Sequence, residues 1–163
     1  MSEAANEPDK IERRQRLGAA LMALGGLTLI VSNIQFFFKN FSDDFLEQGI
    51  TIAIVGVTKT EIGAFSSDLL NYISHLHIAI SGLSIGLGIG LAAMAWLGVR
   101  RGSKWAWWTS IATISVAGAV GLPAHFVWGF ATVGHLGPTA IVVLIFFVGV
   151  VLSYRTSNSI DYA

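Results

Sequence analysis

The chain predicts an all-α fold: an antiparallel bundle of four transmembrane helices, both termini cytoplasmic, with a short helical or irregular outer cap between the first and second spans. Three observations lead there. Of 163 residues, 53% are hydrophobic and only 12% charged, against roughly a quarter charged in soluble chains, and the mean hydropathy is +0.66. Stretches 17–38, 76–99 and 105–154 hold no Asp, Glu, Lys or Arg; a hydrocarbon core needs about 20 apolar residues per helix, so the third is long enough to cross twice. None of them alternates apolar with polar residues as barrel strands do, which leaves helices as the way to satisfy the backbone in lipid.

Charge and cysteine content remove several classes of function. Ten acidic and ten basic residues cancel, so no basic face is set aside for nucleic acid. The absence of cysteine excludes disulfide staples, thiolate metal sites and thiol redox chemistry.

Taken in order, residues 1–16 form a charged arm, and 17–154 a single membrane domain with spans at 17–38, 76–99, 105–126 and 136–154. The first span is too long for a signal-peptide core, and its end, Gln35 to Lys39, offers no small-residue cleavage site. Pro123 with Gly129, Gly134, Gly137 and Pro138 marks the turn that divides the last apolar stretch. Residues 155–163 are a tail. Eight of the basic residues (Lys10, Arg13, Arg14, Arg16, Arg100, Arg101, Lys104 and Arg155) fall on one side of a four-span topology, and only Lys39 and Lys59 on the other. The positive-inside rule then places both termini in the cytoplasm of a plasma (inner) membrane protein.

The outer loop, 39–75, is the only sizeable water-facing segment. Ser42 is expected to cap a short helix over 43–48, followed by an apolar run at 50–57. Thr58 and Glu61 have capping-box spacing and open a helix to Phe65; Ser66 then caps a helix continuing into the second span. On that span Gly82, Gly86 and Gly90 recur every fourth residue, a doubled G-x-x-x-G expected to pack against Thr109, Thr113, Ala117 and Gly121 of the third span, or to mediate contact with a membrane-protein partner or a second copy. The bilayer itself is the other expected partner.

All four histidines, His75, His77, His125 and His135, fall at the outer end, and ionisable groups near membrane depth usually line an interior. At about 100° per residue, His75 shares the face of Gly82 while His77 lies about 200° round. Because the glycine face is the one expected to pack inward, the convergent set is His75, His125 and His135, from three helix ends, with Asp68, Asn71 and Glu61 as polar partners of the rings. Three imidazoles suit a transition-metal ion and two facing ones suit haem b, which points to a redox or cofactor-handling subunit. The alternatives are an assembly subunit that docks helices through its glycine stripe, and an enzyme using His125 or His135 as general base beside Glu61.

Residues 72–82 (YISHLHIAISG), 99–108 (VRRGSKWAWW) and 121–138 (GLPAHFVWGFATVGHLGP) together resemble a family of small four-span bacterial integral membrane proteins. In that family a histidine opens the second span, an Arg-Gly and tryptophan turn follows, and a His, Gly-aromatic, His-Leu-x-Pro pattern joins the last two spans. The resemblance implies four spans and a site at His75, His125 and His135. It departs where the family's first histidine is followed by an acid and an arginine; here Leu76 and His77 stand there.

Overall fold

A computed structural model describes residues 7–43 and 45–157, and among these the regular structure is entirely helical. Helix α1 (Glu7–Lys39) is followed by an irregular loop, two short helices α2 (Ile52–Val55) and α3 (Lys59–Phe65), then α4 (Ser67–Ala93), α5 (Lys104–Val127) and α6 (Val133–Ser157). Four segments are long and apolar enough to cross a membrane: Lys10–Lys39, Ser67–Arg101, Lys104–Val127 and Val133–Tyr154.

Helix α1 is the hub of the bundle. It packs along α4 on one side and α6 on the other, and it does so through glycine. A Cβ built on Gly26 would stand 2.7 Å from the Gly88 carbonyl oxygen, and one on Gly88 would stand 2.7 Å from that of Gly26. Gly18 of α1 and Gly149 of α6 make the same reciprocal approach at 2.6 Å. Lipid tails are as apolar as leucine, so close backbone approach and dispersion, rather than hydrophobic transfer, hold such helices together. Met22, Leu91 and Phe146 are fully buried around these crossings, with Ala95, Ala106 and Trp107 extending the core toward the end that carries the α1 N-terminus. The Trp107 indole donates to the Val150 carbonyl at 3.2 Å, and the Gln15 amide donates to Val99 at 2.8 Å.

This arrangement corrects the expected helix pairing. Gly82, Gly86 and Gly90 have nothing within 4 Å of where a Cβ would sit, and neither do Gly118 and Gly121 of α5. The stripe does not pack against the third span; α4 turns its Ser81, Gly88, Leu91 face inward instead, because its neighbour is α1 and Gly88 is the residue that meets Gly26. Helix α5 is scarcely buried over its apolar length. Its first turn is pinned where Ala106 lies against Gly98, at a π-helical turn (Met94–Gly98) and a 3-10 turn (Val99–Arg101) that end the second span.

At the opposite end the loop after α1 is tied down by lysines. Lys59 donates to the carbonyls of Asn40 and Ser42, both at 3.0 Å, and Lys39 to that of Leu46 at 3.2 Å. No helix forms over the described part of 43–48, and Asp44 of that segment lies outside the described residues. Ser42 does not act as the expected N-cap; its hydroxyl donates to the Lys39 carbonyl at 2.8 Å and so closes the end of α1. The capping box does form: Thr58 and Glu61 exchange side-chain and backbone hydrogen bonds at the start of α3, and the Ser66 hydroxyl accepts from Leu69 at the start of α4. Helix α5 runs one turn beyond Pro123, until Gly129 at φ 78° reverses the chain.

Candidate functional site

Three of the four histidines meet at the loop end of the bundle, though not the three expected. His77 lies on the inner face of α4, its ring 4.9 Å from Phe36 and 5.9 Å from Phe45, centroid to centroid. Its Nδ1 is buried without a hydrogen-bond partner among the described residues. His75, two residues earlier, is exposed on the opposite face, as are Asp68 and Asn71. The inward turn of Gly88 decides this: a helix that presents Gly88 to α1 also presents Ser81 and His77, and carries the Gly82 face with His75 outward.

His125 and His135 are brought together by the turn between α5 and α6. The His125 carbonyl accepts from both Phe130 (2.8 Å) and Ala131 (3.0 Å), folding the chain back over Gly129, and Thr132 then accepts from the His135 amide at the start of α6. The two rings end 5.0 Å apart, inclined by 32°. Each has a backbone carbonyl on Nδ1: Gly121 at 2.8 Å for His125, and Gln48 at 2.6 Å for His135. A carbonyl can only accept, so Nδ1 carries the hydrogen in both rings and Nε2 is the nitrogen left for a proton or ligand.

The loop after α1 supplies the acid. Glu47 Oε2 stands 3.5 Å from His135 Nε2. Gly49 makes this possible. It has φ 77°, and a Cβ there would lie 2.5 Å from the His135 backbone nitrogen and nearer still to the Gly134 carbonyl. Only glycine lets the loop lie so flat against α6. Glu61, expected beside the rings, is engaged elsewhere: its carboxylate accepts from the Thr58 amide at 2.8 Å and hydroxyl at 2.7 Å. Those bonds favour the ionised form and hold its pKa below the usual carboxylate value.

His77, His125, His135 and Glu47 share one cavity of about 300 Å³, whose remaining wall includes Phe45, Ile73, Trp128 and Phe130. Among the described residues no group of three His, Asp or Glu side chains is placed to hold a metal ion. His135 Nε2 and Glu47 Oε2, 3.5 Å apart, span a fitting edge, since two bonds of about 2.0–2.1 Å in a tetrahedral site separate their donors by about 3.4 Å. Haem does not fit His125 and His135 as they stand. Two imidazoles bound on opposite faces of one iron have centres about 6 Å apart at such bond lengths, and these lie closer.

Two of the groups that line this cavity, His77 and Glu47, were not in the set expected from the sequence. His77 carried a signal, because His77, Ser81, Ser84 and Gly88 form their own small and polar stripe; Glu47 carried none that distinguished it from the neighbouring acids. No family model matches the chain, and no curated protein or solved structure matches it either.

Proposed function

We propose that this chain is an integral membrane protein that binds a small amphiphilic molecule in the histidine cavity, head group against His135, Glu47 and His125, apolar body among Phe45, Trp128 and Phe130. The observation that carries the reading is the convergence of three inward imidazoles and one carboxylate on an otherwise apolar cavity of about 300 Å³, which has the size and lining of a small-molecule site. Behind this wall the His77 Nδ1 is buried with no hydrogen-bond partner among the described residues, a polar group left without the bond such atoms ordinarily make. Eight of the ten basic residues lie near the other end of the spans or beyond the last, so in this reading both termini face the cytoplasm and the cavity lies toward the outer leaflet.

Purified protein in mild detergent, extracted into organic solvent and examined by mass spectrometry, tests this. A small molecule should be enriched with the wild-type chain and lost with His135→Ala and Glu47→Gln, but retained with His75→Ala. Identical extracts from all four would refute it. Calorimetric titration with zinc forms the second arm: uptake that disappears with Glu47→Gln would replace the amphiphile by a transition-metal ion at the His135–Glu47 edge and revive a cofactor-handling role.

A second reading, an assembly subunit, draws on the open face of Gly82, Gly86 and Gly90, which leaves room for a partner helix or a second copy. Gly86→Leu should then break a complex seen by native mass spectrometry and leave the histidine cavity intact.

A further inference from the structure

The end of the bundle remote from the histidines holds a second cavity, of about 560 Å³, lined by Glu12, Arg16, Trp96, Leu97, Arg100 and Arg101 together with Gln15. Three arginines face one carboxylate there, and that carboxylate is paired with Arg16. Arg100 lies over the Trp96 ring, 4.4 Å from its centre, which fixes its guanidinium plane. Arg101 forms no ion pair and no side-chain hydrogen bond among the described residues. The frame is rigid: the buried Gln15 amide ties α1 to the Val99 carbonyl, and the π-helical turn at Met94–Gly98 departs from α-helical register just where Trp96 and Leu97 are presented.

We propose that this cavity binds the phosphodiester head of an anionic phospholipid, with an acyl chain running along Leu97 and Trp96. Guanidinium forks match phosphate oxygens bidentately, and basic pockets between spans are suited to lipid head groups. Depth favours a lipid over free phosphate. Trp96, Trp105 and Trp108 are 49%, 67% and 61% exposed at this same end, as tryptophans at the head-group level are, and the half-exposed Leu97 continues the cavity onto the apolar flank of the helix.

The test is native mass spectrometry of the full chain in detergent, titrated with phosphatidylglycerol or with phosphatidylcholine of the same acyl chains. Phosphatidylglycerol should bind preferentially, and Arg100→Gln with Arg101→Gln should weaken it by roughly 30-fold, a factor of about five per arginine. Arg101→Gln alone, which removes no ion pair or side-chain hydrogen bond among the described residues, should give about the fivefold step and keeps the test independent of folding. Arg13→Gln with Arg14→Gln, the same loss of charge outside the cavity, should leave binding unchanged, and excess inorganic phosphate should not displace the lipid. Equal binding of the two lipids, no effect of Arg101→Gln, equal loss in both double variants, or displacement by inorganic phosphate would each overturn the proposal.

Discussion

Gly49 controls the geometry of the histidine cavity from outside it, and Gly49→Ala puts that to the test. Two costs can be separated. An alanine at φ 77° costs about 1–2 kcal/mol, because its Cβ crowds the neighbouring carbonyl in the left-handed region. The added methyl would also lie 2.5 Å from the His135 nitrogen and closer to the Gly134 carbonyl, so the loop must withdraw by about 1 Å to reach ordinary contact. A shift of that size stretches the 2.6 Å bond between His135 Nδ1 and Gln48 to about 3.6 Å, beyond hydrogen bonding, and forfeits about 1 kcal/mol more. Gly56 is the internal control: its φ is 81°, yet nothing lies within 4 Å of its Cβ position, so Gly56→Ala bears only the first cost. The assay is denaturation in detergent alongside nitrogen NMR of labelled histidine. Gly49→Ala should be the less stable by about 1 kcal/mol or more, and only in that variant should the His135 Nδ1–H signature change. Equal stabilities with an unaltered His135 signal would show that the loop does not hold the ring.

Other outcomes follow from the same structure. Gly88→Val should destabilise the bundle by about 1–3 kcal/mol through overpacking against Gly26, whereas Gly86→Val should stay within about 0.5 kcal/mol in the monomer; detergent unfolding curves compare them. Gln15→Leu, which removes the buried donor to Val99, should cost about 1–2 kcal/mol and loosen the α4–α5 turn, seen as faster amide exchange at Gly102 and Ser103. The Glu61 carboxylate titrates below its unfolded value, so its contribution to the α3 cap is complete above the unfolded pKa and is lost as pH falls through the lower, folded one. The Thr58 amide shift should follow that acid transition and be flat with pH in Glu61→Gln.

Long uncharged stretches were enough to recover the four long helices, and helical periodicity sorted residues onto shared faces, although the short helix expected over 43–48 did not form. His75 does travel with Gly82, and His77 does lie on the other side. What it could not supply was which face turns inward, because α4 carries two small-residue stripes, Gly82-Gly86-Gly90 and Ser81-Gly88 with Leu91. The choice between them is made by α1, whose Gly26 meets Gly88 and Ala92 of α4 and so takes the close approach expected of the more regular stripe. The capping box at Thr58 was legible because both its partners lie within three residues. Glu47 was not, since its partner His135 is far away in the chain and the two are joined only by the way Gly49 lies on Gly134.

Helix α5 is fastened at its first turn, where Ala106 meets Gly98, and at its last, where His125 faces His135; residues 115–120 between these points are exposed. In a bilayer, acyl chains would be its lateral support over that stretch. One wall of the histidine cavity would then hang from a rod steadied by lipid, making the surrounding bilayer a structural component of the chamber as much as its solvent.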